Sequence, residues 1–251
     1  MDAKSRRKSP VNVVTTEPHY CSIDLRLRIL GRLPFFAGLS PASLQRVNQS
    51  FSEIGYAPGE TIYAAGDPAD RLFVIAEGKV KLIQPTLAGK NQLLDFFGSG
   101  DFFGNLVSLG SEYYSDTAIA QTPGCILCIR SEDFRTILDE NSGLALKALE
   151  VLAARLNESN QRITRLSTMP VEKRVASSLL KLVKKFGKEK EGNQLIDLPL
   201  SRNDLAEMTG TTPETVSRIM SQMQNDGIIL SGRQWVAISD ISALESLATV
   251  S

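Results

Sequence analysis

Glu214, Ser217 and Arg218 stand three and four residues apart, so on a helix they share one face. Together they offer a carboxylate, a small hydroxyl and a forked guanidinium. That set suits the edges of base pairs, because an Arg fork reaches guanine O6 and N7, a Glu carboxylate accepts from a cytosine amino group, and Ser serves either. Ser201, Arg202 and Thr212 fall where helices are predicted to start, and there hydroxyl, guanidinium and backbone N–H groups can hold phosphates. Taken singly, Arg218 reads equally well as an ordinary surface residue, and Glu214 as a carboxylate favoured by the helix dipole. The inference rests on the assembly around them.

A second set is His19, Cys21, Cys125 and Cys128, the single histidine and all three cysteines of the chain. They are four candidate metal ligands. Cys125 and Cys128 are three apart on a predicted strand, so their side chains should point to opposite faces unless Pro123-Gly124 bends the backbone. The cysteines form no secreted-type framework, so reduced thiols or a metal role are expected ahead of disulfides, and small buried apolar cysteines are the plainer reading. With one histidine, a zinc hydrolase or a metal-dependent enzyme on a β-roll lacks its ligands. No GxGxxG, GxxxxGK[ST] or GxSxG is present to suggest nucleotide hydrolysis or acyl transfer.

The elements that must position these groups follow from pattern. Residues 1–21 are polar and aperiodic, a mobile tail. Ser22 opens a short helix that stops before Pro34, and Ser40-Pro41 opens a second, with Ser as N-cap and Pro in the first turn. From Phe51 to Ile129, short β-branched and aromatic runs are punctuated by glycine, which predicts many antiparallel strands closed into a β-roll. Ser131-Glu132-Asp133 caps a return to helix. The roll with its flanking helices is assigned to 22–140.

Residues 141–169 predict a long helix and hinge. Leu149, Leu156 and Ile163 form one seven-residue series and Leu152, Ser159 and Leu166 a second, the a/d seam of a two-helix dimer with one polar d position. A core-facing amphipathic helix is the commoner meaning of such a stripe. Residues 170–251 form a third region. A helix after Pro170 ends in Lys184 and Lys185 before Gly187, and residues 188 to 195 read as a polar surface loop. Ser201 and Asp204 then start a helix by a capping box, Gly210 permits a tight turn, and Thr212-Pro213 starts a second helix with Val216, Ile219, Met220 and Met223 inward. GIILSGRQWVAI supplies two short strands around Ser231-Gly232. The whole is a winged helix-turn-helix. This region balances ten Lys plus Arg against ten Asp plus Glu, and the whole chain has zero formal net charge, so any field for DNA must come from charge placement.

From about Phe35 the sequence resembles the CRP/FNR family of bacterial regulators, in PGETIYAAGD, LFVIAEGKVKL, GDFFGNLVSLG, the long helix and LSRNDLAEMTGTTPETVSR. The resemblance implies an α+β fold: an antiparallel β-roll like a cyclic-nucleotide-binding domain, a dimerisation helix and a DNA-reading domain. It implies a homodimer on double-stranded DNA that contacts RNA polymerase, as activator or repressor. Glu214, Ser217 and Arg218 are FNR-like within the family, implying an inverted repeat resembling TTGAT-N4-ATCAA.

In the cAMP-responsive members a Gly-Glu pair and an Arg-Ser pair hold ribose and phosphate. Here Gly104-Asn105 and Tyr114-Ser115 stand at those places, without the carboxylate or the guanidinium, so cAMP in the usual mode is not expected and another ligand could fill the pocket. The iron-sulfur members carry several N-terminal cysteines, whereas here only Cys21 lies there. An iron-sulfur cluster or haem, and a redox, oxygen or nitric-oxide input, remain open readings. Rival classes are a cyclic-nucleotide-responsive regulator, a small-molecule-binding roll whose C-terminal domain makes protein contacts, and an enzyme on the same roll. The trio on the second helix disfavours the protein-contact reading. No run of eighteen apolar residues and no signal-peptide stretch is present, so a cytoplasmic protein without membrane partners is expected.

Overall fold

The computed structural model describes residues 21–86, 91–104 and 112–249. The chain divides into two compact units, one mainly of residues up to Ser159 and the other mainly of residues from Asn160 onward.

In the first unit, helices α1 (Ile23–Arg32) and α2 (Pro41–Gln49) start as the sequence predicts, with Ser22 and Ser40 accepting from the N–H groups of Leu25 and Ser43. Eight strands follow: β1 (Ser52–Tyr56), β2 (Thr61–Tyr63), β3 (Arg71–Glu77), β4 (Val80–Pro85), β5 (Asn91–Phe97), β6 (Phe102–Gly104), β7 (Thr117–Ala120) and β8 (Gly124–Arg130). They form two four-stranded sheets, ordered β1-β8-β3-β6 and β2-β7-β4-β5, which is the expected β-roll. The central strands β3 and β8 are covered on both faces, which is why both read as unbroken apolar runs. Side-chain alternation divides them between two cores. Leu72, Val74, Cys125, Leu127 and Ile129 pack with Leu30, Leu33, Phe35, Phe36 and Phe134 under the helices. Phe73, Ile75, Ile126 and Cys128 pack with Tyr63, Phe103 and Tyr114 on the other side.

Helix α3 spans Ser131–Glu140, but its N-cap is Arg130 and no side chain caps it. Ser131 is already helical, because β8 runs directly into the helix and leaves no extended residue after it. Helix α4 (Ser142–Thr168) matches the predicted long helix. Leu144, Ala148 and Val151 face the core under the helices, and one turn on, Arg155 lays its guanidinium 3.6 Å from the Phe102 ring centroid and donates to Phe102 O at 2.5 Å.

In the second unit, α5 (Val171–Phe186) buries Val175, Ala176, Leu179 and Leu182. Arg174 donates to Leu166 O at 2.6 Å and so satisfies one of the orphan carbonyls at the end of α4. The segment 188–195 is not a loop. It belongs to a hairpin of β9 (Gly187–Lys190) and β10 (Asn193–Ile196), joined by Glu191-Gly192 with both φ angles positive, at 50° and 74°. That is the mirror-image turn whose twist suits a hairpin, and its polar composition hid the strands. Strands β11 (Ile229–Gly232) and β12 (Trp235–Ile238) make the wing, with order β11-β12-β10-β9 in the sheet. The wing turn is Arg233-Gln234, two residues beyond the expected Ser231-Gly232. A last helix, α8 (Ile241–Ala248), packs on α5 and has no counterpart in the sequence reading.

Candidate nucleic-acid interface

Between β10 and the wing lie the two helices that carry the candidate contacts, α6 (Arg202–Thr209) and α7 (Pro213–Asn225). Ser201 caps α6 through a reciprocal capping box: its hydroxyl accepts from Asp204 N at 3.0 Å, and Asp204 Oδ2 accepts from Ser201 N at 2.9 Å and from Ser201 Oγ at 2.5 Å. Gly210 ends α6 in the left-handed conformation, φ 62°, which turns the chain sharply toward Thr212. Thr212 caps α7 by accepting from Thr215 N at 3.3 Å, and Pro213 fills the first turn. Val216, Ile219, Met220 and Met223 are buried as predicted and fix the rotation of α7.

That rotation leaves Glu214, Ser217 and Arg218 exposed. Glu214 is held below the ordinary carboxylate range by its own backbone N–H and by the Thr212 hydroxyl, so it meets solvent as an anion. Arg202 is placed differently from its neighbours. Its Nη2 donates to Ser231 Oγ at 2.8 Å, and Ser231 in turn donates to Gln224 Oε1 at 2.9 Å. Its Nη1 is buried with no partner among the described residues. Burial of this guanidinium lowers its pKa. One arginine thus ties the start of α6, the wing and the end of α7 into a single polar chain, which the sequence does not signal.

On α4 the predicted seam is exposed in the single chain. Leu149 and Leu156 are each 62% exposed and Ile163 64%. Leu152 and Ser159 are exposed too, and Leu166 is half-buried. Leu146, 65% exposed, extends the row by a residue that sequence reasoning missed. Such a stripe is not core-facing within one chain.

Inside the roll, Gly104 ends β6 with φ +91° beside Arg71, while Asn105 and His19 lie outside the described residues. Tyr114 and Ser115 diverge: Ser115 is exposed and Tyr114 is buried. The Tyr114 hydroxyl donates to Arg71 O at 2.9 Å and accepts from Arg71 N at 3.2 Å. Its ring stacks on Tyr63 with centroids 3.8 Å apart, in a group that continues through Phe73 and Phe103. Tyr63 donates to Asp116 Oδ1 at 2.8 Å. Burial raises the Asp116 carboxyl above its usual value despite that hydrogen bond, and raises the Tyr114 phenol to about 12. The rings of Tyr63, Tyr114, Phe73 and Phe103 pack into one group at this point, and Asp116, unremarked in the sequence, is tied to it through Tyr63.

The cysteines correct an expectation. Cys21 and Cys125 form a disulfide across 104 residues, with Cα atoms 6.0 Å apart, and Cys21, placed with the tail by its sequence, is buried. Cys125 and Cys128 do face opposite ways: Cys125 lies in the core under the helices and Cys128 in the core between the sheets, where its sulfur sits 3.0 Å from Ser52 Oγ. Cys21, Cys125 and Cys128 therefore do not converge, and the described residues do not supply the cysteine set an iron-sulfur cluster needs. No described helix is long and apolar enough to cross a membrane.

A roll followed by a long helix and a winged helix-turn-helix defines a DNA-binding transcription regulator. A model of the cyclic nucleotide-binding domain matches residues 53–141 and a model of the Crp-like helix-turn-helix domain matches 173–247. The chain is 30% identical over 193 residues to a global nitrogen regulator of Synechocystis, covering 76% of this chain and 85% of that protein. It is 28% identical to a CRP-like cAMP-activated global transcriptional regulator of Mycobacterium tuberculosis, over 86% of this chain and 96% of the relative. Among solved structures, a CRP/FNR family transcriptional regulator from Thermus thermophilus superposes with TM-score 0.64 at 26% identity, covering 78% of this chain and 98% of that one. FixK2 of Bradyrhizobium japonicum shares the fold, with TM-score 0.71 at 24% identity, over 80% of this chain and 98% of that one. The chain belongs to the CRP/FNR family, whose members are transcription regulators and not enzymes.

Proposed function

We propose that this regulator binds DNA as a homodimer, joined along Leu149, Leu152, Leu156, Ser159, Ile163 and Leu166 of α4, and reads an inverted repeat resembling TTGAT-N4-ATCAA. Glu214, Ser217 and Arg218 of α7 contact base edges, while Ser201, Thr212 and the first turns of α6 and α7 face phosphates. Arg202 contributes to backbone contact by way of the wing. RNA polymerase is the further partner.

The observation that carries this reading is the exposure of the Glu214, Ser217 and Arg218 face on a helix whose opposite face is wholly buried. A mobility-shift titration with the palindrome and with a scrambled duplex tests it. Binding should be tighter to the palindrome by about a thousandfold or more, with two chains per duplex. Equal affinity for both duplexes refutes it.

The input is proposed to be redox-linked and received at the roll or the segment before it. The Cys21–Cys125 bond supports that reading. Tyr114, stacked on Tyr63 and hydrogen-bonded to the Arg71 backbone, offers no guanidinium to a cyclic phosphate, which argues against cyclic nucleotide in the usual mode. Comparing palindrome affinity of reduced and oxidised protein, with and without cAMP, separates the two.

A further inference from the structure

Cys21, Cys125 and Glu53 are brought together from three places in the sequence. Cys21 precedes the N-cap of α1, Cys125 lies on β8 and Glu53 on β1. One donor atom from each lies within 4.8 Å of the others, and both cysteines are buried. The residue paired across from Cys125 is Gly55, which brings no side chain to the spot.

We propose that the reduced Cys21 and Cys125 pair, with Glu53, binds a thiophilic divalent cation, so that the disulfide and the metal-bound form are alternative states of one site. Thiolate–zinc bonds of about 2.3 Å and carboxylate–zinc bonds of about 2.0–2.2 Å place tetrahedral donors roughly 3.5–4 Å apart, a spacing these side chains reach by small rotations. Charge also closes. Two thiolates and a carboxylate carry three negative charges, a divalent ion leaves one, and Arg26 neutralises it from 3.2 Å on the Glu53 side. Arg26 is itself fixed by Asn48 Oδ1 at 2.8 Å, Asn48 O at 3.1 Å and Phe51 O at 2.6 Å. It orients Glu53 as an outer-shell partner does. The Glu53 side chain is 23% exposed, which leaves an approach for the ion and for a water as fourth ligand.

The interconversion balances. Two low-molecular-weight thiols each give one electron and one proton as they join in their own disulfide, and Cys21 and Cys125 become thiols, which lose two protons as the ion binds. Hydrogen peroxide reverses this. It takes two electrons from the thiolates and two protons from solvent and leaves as two waters, while the S–S bond re-forms and the ion departs.

As the seat of the redox input, the site rests on the proposed function; metal binding itself does not. The test is an anaerobic titration of the reduced full chain with Co²⁺. One equivalent should develop tetrahedral cobalt–thiolate absorption that Zn²⁺ abolishes, and peroxide-treated protein should show none. Cys21→Ser and Cys125→Ser should lose the spectrum, Glu53→Gln should weaken binding about tenfold or more, and Cys128→Ser should bind as the parent does. Cys21→Ser lies outside the sheet, so it decides the matter even if Cys125→Ser fails to fold. No absorption in the reduced chain, or absorption that survives Cys21→Ser, overturns the site. Palindrome binding measured on the same samples keeps the two ideas apart. Cobalt uptake without any palindrome binding sinks only the proposed function, and palindrome binding without cobalt uptake sinks only the metal site.

Discussion

Arg202 and Ser231 are joined by a 2.8 Å hydrogen bond from Nη2 to Oγ, and the Ser231 hydroxyl in turn donates to Gln224 Oε1. The bond links the first residue of the helix-turn-helix to the wing and, through Gln224, to the last turn of α7. A guanidinium so engaged sets the angle between α7 and the wing and has little freedom to search for a phosphate. Arg202→Ala should therefore weaken binding to every sequence alike, by loosening the wing, and leave the preferred sequence unchanged. Ser231→Ala keeps the charge but breaks the same chain, and should reproduce the effect while costing about 1–3 kcal/mol of domain stability from the groups left unpaired. Parallel titrations on palindrome and random DNA check this. A Ser231→Ala protein with full affinity would show that Arg202 acts on DNA directly.

Arg218 belongs to the other class of contact. It is exposed and lies one turn beyond Glu214, free of the chain that holds Arg202. Arg218→Ala should lower discrimination at one base pair of each half-site by about 1–3 kcal/mol, with little loss on random duplex. A panel of single-base-pair changes in the half-site reads this out. Equal losses on specific and random DNA would mean that Arg218 touches only the backbone.

What the sequence disclosed and what it hid have physical reasons. Capping residues act locally, so Ser22, Ser40, Ser201 and Thr212 marked helix starts correctly. Strand parity is local too, and it put Cys125 and Cys128 on opposite faces. The pairing of Cys21 with Cys125 is set by the fold of the chain between them, a sequence separation of 104, and no spacing rule reaches that far. The β9–β10 hairpin was missed because Lys188, Glu189 and Lys190 give no apolar alternation, their strand being exposed along its length. Asp116 and the Arg202–Ser231 link escaped for the same reason as the disulfide: partners distant in sequence give an isolated residue no pattern.

The exposed row on α4 yields a prediction about assembly. Leu149 and Leu156, each 62% exposed, contribute little to the packing of one chain, so Leu149→Glu or Leu156→Glu should alter its unfolding free energy by no more than about 0.5 kcal/mol. In a two-helix seam the same charges would face each other across a dry interface. The variants should sediment as single chains at concentrations where the parent sediments as a pair, and palindrome affinity should fall with the loss of the second half-site. A Leu156→Glu protein that remains paired would place the contact elsewhere.

Asp116 gives the pH dependence of the roll. Its carboxyl is raised from an ordinary value of 3.8, chiefly by burial, with the hydrogen bond from Tyr63 working the other way. A carboxyl whose folded-state value lies above its unfolded one contributes stability that is fully present below the unfolded value and is lost as pH rises through the folded one. Asp116→Asn removes the titration while keeping an oxygen to accept from Tyr63. Urea unfolding of parent and variant should therefore diverge as pH climbs above 3.8, the parent losing ground to Asp116→Asn until Asp116 is fully ionised in the fold. Tyr63→Phe takes away the hydrogen bond that favours the carboxylate, so it should push the folded-state value higher and stretch the window toward neutral pH. Were the parent instead to gain on Asp116→Asn as pH rises, Asp116 would be stabilised as an anion, and its burial would not be what governs it.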